Sequence, residues 1–289
     1  MEPRSGASPA FPVVLAVAGF DPTGGAGASA DLKTLAAHNC HGVAVLTSLT
    51  IQSTGGVTAR HDIAAAVVAG QIRALAEDMP LAAVKIGMLG SAENVEAVAA
   101  AIAQYAPPFV VLDPVLHSSN GAELLDADAV DILRDRLLSG VSLITPNLDE
   151  AARLSGMPVG SVEAMKAAAA ELYQRHGARV VVTGGHLEKP QDVFYDGSNF
   201  TVFAGDRVRS PNTHGTGCAF SSAIAANVAL GKSLPDAIML AKAFVTRAIE
   251  RGFAPGRGRG LLNHLYRLQP SSAARVVMAE PHDAQSAHR

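Results

Sequence analysis

Two glycines flank a threonine and lead into a cysteine in Asn212-Thr213-His214-Gly215-Thr216-Gly217-Cys218, directly ahead of the apolar run Ala219-Phe220-Ser221-Ser222-Ala223-Ile224-Ala225-Ala226. Where such a run forms a helix, its first turn carries unpaired backbone N–H groups and a partial positive charge, and so attracts anions. Glycine lets backbone approach the anion with no Cβ in the way. A thiol at that spot is expected to have its pKa drawn down, which suits a base or a nucleophile. Gly215, Gly217 and Cys218 thus read as a phosphate cradle with a reactive group at its lip. The plainer alternative is a glycine-rich loop capping a core helix.

Carboxylates and an amide stand at comparable places. Asp113 and Glu150, each just past an apolar run, are suited to holding Mg²⁺ directly or through water, although Glu150 near Asn147 also reads as a helix cap. The planar amide of Gln52 offers a donor and an acceptor. That matches the edge of an aminopyrimidine, an amino group beside a ring nitrogen; plain solvation is the alternative. Gly24-Gly25-Ala26-Gly27 matches neither the dinucleotide nor the P-loop pattern and reads as a tight turn that brings backbone close to a substrate. Gly231-Lys232-Ser233 looks like a P-loop fragment, but Ala226 stands where the first glycine belongs, so a helix C-cap is expected. His214 reads as loop-shaping and Cys40 as packing.

These groups need a scaffold, and the chain's periodicity supplies one. Apolar runs at 13–18, 43–50, 83–86, 109–112, 142–144 and 180–183 read as strands buried on both faces. Helical patterns near 28–37, 63–78, 92–105, 126–138 and 162–176 alternate with them, and two helices follow at about 217–230 and 234–251. Such alternation means a parallel sheet covered by helices on both sides. Asp192–Tyr195 and Phe200–Phe203 flank Asp196-Gly197-Ser198-Asn199, a hairpin at one edge. Ligands of open α/β sheets bind beyond the carboxyl ends of the strands, and the polar, glycine-rich segments fall there, one after strand upon strand.

The 289 residues are 48% hydrophobic, enough to bury a substantial core. A net charge of −3 without a basic stripe, few aromatics and no tryptophan argue against nucleic acid as a partner. Two distant cysteines suit a reducing cytoplasm. Pro9 and Pro12 interrupt a loose imitation of a signal peptide, and no run reaches membrane-spanning length, so no membrane partner is expected. One domain over 12–268 is expected, with flexible tails at 1–11 and 269–289.

Seven ordered motifs now carry a resemblance. They are Ala-Gly-Phe-Asp-Pro-Thr-Gly-Gly-Ala-Gly at 18–27, Ala-Asp-Leu-Lys-Thr at 30–34, Lys-Ile-Gly-Met-Leu at 85–89 and Leu-Asp-Pro-Val at 112–115. Leu-Ile-Thr-Pro-Asn at 143–147 with Glu150, the cradle at 212–218, and Gly-Arg-Gly-Leu-Leu-Asn-His at 258–264 complete them. From about Val13 to Tyr266 the chain resembles the hydroxymethylpyrimidine and phosphomethylpyrimidine kinases of thiamine biosynthesis. The resemblance implies a ribokinase-like three-layer α/β/α sandwich with a mostly parallel central sheet, and a homodimer. It implies ATP-dependent phosphorylation of 4-amino-5-hydroxymethyl-2-methylpyrimidine and then of its monophosphate, with Mg²⁺.

Residue by residue, it places Gln52, Asp31, Met88, Gly19 and Val115 around the pyrimidine. Asn147, Thr183, Gly184 and Thr216 would serve ATP, Asp113 and Glu150 the metal, and Gly215, Gly217 and Cys218 the anion hole. Cys218 stands where sugar-kinase relatives place a catalytic aspartate. Two departures matter: Thr183-Gly184-Gly185-His186 replaces the usual Lys-Gly-Gly-His, and Ser119 stands where a lysine is common. Both remove positive charge near the phosphates and keep a vitamin B6 (pyridoxal or pyridoxamine) kinase as the alternative.

Overall fold

The computed structural model describes residues 11–118, 120–185 and 187–268. Ser119, His186 and the expected tails, apart from Phe11, lie outside the described residues. In chain order the elements are β1 (Val13–Phe20), α1 (Gly27–Ala37), β2 (His41–Ser53), β3 (Gly56–Asp62), α2 (Ala65–Asp78), β4 (Leu81–Ile86), α3 (Ala92–Tyr105) and β5 (Val110–Leu112). There follow α4 (Ala129–Ile132), β6 (Leu143–Ile144), α5 (Leu148–Ser155), α6 (Val162–His176), β7 (Arg179–Val182), β8 (Gln191–Tyr195), β9 (Phe200–Ala204), α7 (Thr216–Ala229) and α8 (Leu234–Glu250).

The strands form one sheet in the order β3-β2-β1-β4-β5-β6-β7-β8-β9. From β2 to β7 all neighbours are parallel; β3, β8 and β9 run antiparallel at the edges. Successive side chains of a strand face opposite ways, and here both faces are covered. Leu15, Val17, Val84, Ile86, Val110, Leu112, Ile144, Val180 and Val182 pack with α2, α3, α5 and α6. Their neighbours Val14, Ala83, Val111, Leu143 and Val181 pack with α1, α7 and α8. Burial on both sides is why these strands read as unbroken apolar runs. The arrangement is the expected three-layer α/β/α sandwich.

Helix α6 and the 192–203 hairpin match the sequence reading closely; Asp196 Oδ1 accepts from the amides of Ser198 and Asn199 in the turn, where Gly197 has φ +103°. Three elements differ. Strand β3 shows no apolar run because it is a solvated edge, and Arg60 reaches Asp62 and Asp126 across it. Helix α5 hides in Thr145-Pro146-Asn147-Leu148-Asp149-Glu150, polar enough to pass for loop. The helix expected over 126–138 is broken: α4 is four residues long, then Leu133–Leu137 form a π turn and Leu138–Gly140 a 3₁₀ turn. Gly231 ends α7 at φ +81° and Ser233 caps α8 through the Asp236 amide, so the 231–233 segment is a joint between helices, as expected.

Candidate active site

Gly215 is the N-cap of α7 and has φ +87°. A Cβ there would lie 1.8 Å from the Gly25 carbonyl oxygen, so the cradle loop and the loop after β1 meet backbone to backbone. Gly27 repeats the device: at φ +58° its Cβ would stand 2.3 Å from the Gly19 carbonyl oxygen. Gly217 is under no such constraint. Its Cβ would rest 3.6 Å from Asp113 Oδ2, an ordinary contact, in space facing that carboxylate. Among the described residues no side chain caps α7 and none in its first turn is acidic, which leaves its dipole end free for an anion. Thr216 turns its hydroxyl back onto the Thr213 carbonyl at 2.7 Å. The rest of the helix, Ala219–Asn227, is buried all round, which explains its apolar composition.

Cys218 sits on that first turn, where the Asp113 carboxylate and the Gly27 amide both act on its thiol. The expected lowering of its pKa is not found. Burial pushes the thiol up to about 12; Lys85 and the Gly27 amide pull it down, Asp113 and Asp31 push it further up, and burial wins. The thiol, not the thiolate, is the resting form. Cys40 is buried too and pushed up to about 11, in keeping with a packing role.

Beneath the cradle lies an ion pair that the sequence reading missed. Lys85 Nζ is 2.9 Å from both oxygens of Asp31, and both side chains are wholly buried. Ser222 of α7 donates to Asp31 Oδ1 at 2.7 Å. Burial alone would strip Lys85 of its proton, but Asp31, with Asp113 beyond it, holds the ammonium charged. Burial drives the Asp31 carboxyl up, and its contacts with Lys85 and Ser222 pull it back. Asp31 was expected at the pyrimidine; in the structure its carboxylate is paired with Lys85 inside the core. The signal was legible: a lysine within Leu81-Ala82-Ala83-Val84-Lys85-Ile86, an otherwise apolar strand, needs a buried partner.

Asp113 follows β5, with Ser221 Oγ 3.5 Å from its Oδ2. Burial, then Asp31, raise it to about 6 against the pull of Lys85. Glu150 and Asn147 form a reciprocal cap on α5: the Glu150 amide donates to Asn147 Oδ1 and the Asn147 amide to Glu150 Oε2, each at 2.9 Å. The capping reading of Glu150 therefore holds. Burial, with Asp113 repelling it, pushes Glu150 up to about 8. Two carboxylates that resist joint ionisation fit a shared cation. Among the described residues no cluster of three or more metal-ligating side chains stands ready. That donor set suits Mg²⁺, which keeps water and takes its remaining oxygens from phosphates.

The other expected residues gather along the same edge. Gly19 and Met88 touch, since a Cβ on Gly19 would meet Met88 Sδ at 2.7 Å. Val115 follows in the loop after β5, its amide on the Asp113 carbonyl at 2.8 Å. Gln52 Nε2 is 3.3 Å from His214 Nε2, which is 2.8 Å from Asp21 Oδ2. Gln52 Oε1 accepts from the Thr50 hydroxyl at 3.1 Å. Asn147 and Thr183 bridge at the ends of β6 and β7, where the Thr183 amide donates to the Pro146 carbonyl. The Gly184 amide donates to Asp192 Oδ1 at 3.0 Å, and Lys242 holds the other Asp192 oxygen at 2.6 Å. An apolar cavity of about 200 Å³ under α2 and α3 lies at the opposite ends of the strands and is lined by none of the expected site residues.

A family model described as phosphomethylpyrimidine kinase matches residues 21–263. The chain is 44% identical over 254 residues to the thiamine biosynthesis bifunctional protein ThiED of Geobacter sulfurreducens, covering 87% of this chain and 52% of that protein, about half its length. It is 41% identical over 260 residues to the hydroxymethylpyrimidine/phosphomethylpyrimidine kinase of Rhizobium meliloti, covering 88% of this chain and 97% of the relative. Among solved structures, the ADP complex of Bacillus subtilis pyridoxal kinase superposes with a TM-score of 0.82 at 34% identity, covering 90% of this chain and all of that one. With the cradle, the carboxylates and the motifs in one crevice, the chain belongs to the phosphomethylpyrimidine kinase family.

Proposed function

We propose that the protein transfers the γ-phosphoryl group of ATP to the hydroxymethyl oxygen of 4-amino-5-hydroxymethyl-2-methylpyrimidine, and then to the monophosphate so formed. The observation that carries this reading is the uncapped amino end of α7, with Cys218 on its first turn and Asp113 facing it. Phosphoryl transfer needs positioning and a preorganised anion site more than covalent chemistry. Gly215 and Gly217 let the amides of the turn approach the transferring group. Gly19, Met88 and Gln52 line the ring's side of the crevice, and Asn147, Thr183, Gly184 and Thr216 receive the nucleotide. Asp113 and Glu150 would hold Mg²⁺, whose charge would neutralise phosphate oxygens and favour the anion of the neighbouring thiol. Cys218 then takes the alcohol proton, with Lys85 favouring its anion from below.

Residues 12–268 would act as one catalytic domain, in the cytoplasm. Exposed Phe20, at the end of β1, and Leu49 and Ile51 on β2 offer an apolar face for a homodimer. Among the described residues no helix is long and apolar enough to cross a membrane. The test is mass spectrometry of the products from the pyrimidine alcohol and Mg-ATP: monophosphate followed by diphosphate is expected, and neither would overturn the reading. The likeness to a pyridoxal kinase favours vitamin B6 phosphorylation as the second reading. Comparing kcat/KM for the pyrimidine alcohol and pyridoxal in one assay decides between them.

A further inference from the structure

A polar cavity of about 280 Å³ opens between the β2–β3 turn and residues 256–260. Gln52, Ser53, Ser118, Asn120, His214 and Arg259 line it, and among the described residues no carboxylate does. Its walls are pinned to one another. The Arg259 amide donates to the Thr54 carbonyl at 2.9 Å, the Gly258 amide to Thr54 Oγ1 at 3.1 Å, and the His214 amide to the Gly260 carbonyl at 3.3 Å. A Cβ on Gly258 would stand 2.0 Å from the Thr54 carbonyl oxygen, so glycine is needed for this contact. The Arg259 guanidinium has no hydrogen-bond or ion-pair partner among the described residues.

The two proposed transfers make opposite demands on one cradle. In the first the nucleophile is the alcohol oxygen, and in the second it is an oxygen of the phosphate already attached. That oxygen must meet the same cradle at 215–218, so the ring must then sit one phosphate group farther away. The cradle cannot retreat, being locked on Gly25 and Asp21. Room exists on the Gln52 side: Gln52, beside the ring in the first transfer, is also a wall of the cavity, and His214 joins that wall to the cradle loop. Thr183 and Gly184, just past β7, lie five strand positions from β2, roughly 24 Å at about 4.8 Å per strand, too far for this cavity to serve them.

The lining fits the occupant. Drug-sized ligands fill roughly 300–1,000 Å³ and a single pyrimidine needs less. Amides on Gln52 and Asn120 and the hydroxyl on Ser53 match an amino group and ring nitrogens. Arg259 provides a cation for a dianionic phosphomonoester.

We infer that this cavity is the ring subsite for the phosphorylated acceptor, occupied in the second transfer and empty of ring in the first; the inference rests on the two-step function proposed above. In that step a bond forms between the acceptor phosphate oxygen and the γ-phosphorus, and the bond to the ADP oxygen breaks with its electron pair leaving on ADP. The attacking oxygen is already deprotonated at neutral pH, since the second phosphate pKa is about 6, so no base is consumed.

Ser118→Phe fills the cavity from its wall. The expected result is at least a tenfold fall in kcat/KM for the monophosphate relative to the alcohol, so that alcohol incubations stop at monophosphate. Arg259→Gln should lower the same ratio chiefly through the KM of the monophosphate, and Arg259→Lys should restore part of it. An unchanged ratio, an equal loss with both acceptors, or a rise in the KM for ATP of the same size with either acceptor overturns the inference. Should Ser118→Phe not fold, the exposed Arg259 variants read the same ratio. Wild-type protein that makes monophosphate but no diphosphate overturns the inference and leaves the first transfer standing. Protein that phosphorylates neither overturns the proposed function itself.

Discussion

His214 Nε2 lies 2.8 Å from Asp21 Oδ2, a contact that ties the cradle loop to the loop after β1. The same carboxylate accepts from the amides of Thr23 and Ala26 and from the Thr23 hydroxyl. Burial alone would raise Asp21, but the hydrogen bonds from His214 and Thr23 hold it below the usual carboxylate range. Hydrogen bonds to charged groups are worth about 1.5–3 kcal/mol each, with losses that are not additive. Asp21→Ala should therefore cost about 2–4 kcal/mol in urea unfolding and lower kcat/KM, and His214→Ala should cost less. Equal stability losses for the two would show that the loop contact, not the Asp21 turn, carries the effect.

Gly215 and Gly217 make a paired test of backbone strain against space. Gly215→Ala forces an alanine to φ +87° and onto the Gly25 carbonyl; the positive φ alone costs about 1–3 kcal/mol, so the variant should melt early. Gly217→Ala meets only Asp113 at 3.6 Å. It should melt as wild type yet turn over far more slowly, because its methyl group occupies room meant for the phosphoryl group. Thermal melts and turnover measured together separate the two.

Cys218 is assigned the alcohol proton and nothing in the second transfer. Removing a general base costs about 10²–10⁴ in rate. Cys218→Ala should lose that much on the alcohol and distinctly less on the purified monophosphate. Turnover of the alcohol within a few-fold of wild type would remove Cys218 from its role.

Lys85 and Asp31 are wholly buried and meet at 2.9 Å. Breaking one side of such a pair strands a charge and costs about 3–5 kcal/mol, whereas replacing both sides is often neutral. Lys85→Met should be strongly destabilised, and Lys85→Met with Asp31→Leu should recover most of the loss. A double-mutant cycle in urea measures the coupling. Near-additive losses would mean the pair is not held as drawn.

His264 is buried, and its Nε2 has no partner among the described residues. Burial, then Lys33 and His214, lower its pKa from 6.5 to about 4, and His38 is lowered in the same direction by its own burial. A depressed folded-state pKa means the unfolded chain binds the proton first as pH falls. Stability is therefore full above about pH 6.5 and is lost progressively toward pH 4, by about 3 kcal/mol at most from His264. His264→Asn should flatten that part of the urea midpoint against pH between 6.5 and 4.5. An unaltered slope would assign the acid sensitivity elsewhere.

Much of the architecture is legible in residues alone because burial on both sheet faces writes itself as apolar strands. Val13–Ala18 and Val180–Val182 are recognisable for that reason, and the helices between them by their period. Local chemistry is legible too: glycines at 215 and 217, the Asn147–Glu150 cap and the Asp192–Phe203 hairpin all follow from neighbours in the chain. What reads poorly is whatever is set by partners distant in sequence or by solvent. Strand β3 gains its place from pairing with β2, with no core of its own to mark it. Asp31 looks like a ligand group until Lys85, 54 residues on, is brought against it. Cys218 looks like an activated thiol at a helix start, yet tertiary burial raises its pKa against that local field. The motifs by themselves determined the family, the fold and the crevice. Only the packing of α7 onto the sheet decided which charges face the ligand and which are consumed inside, because desolvation acts on three-dimensional surroundings that no local pattern records.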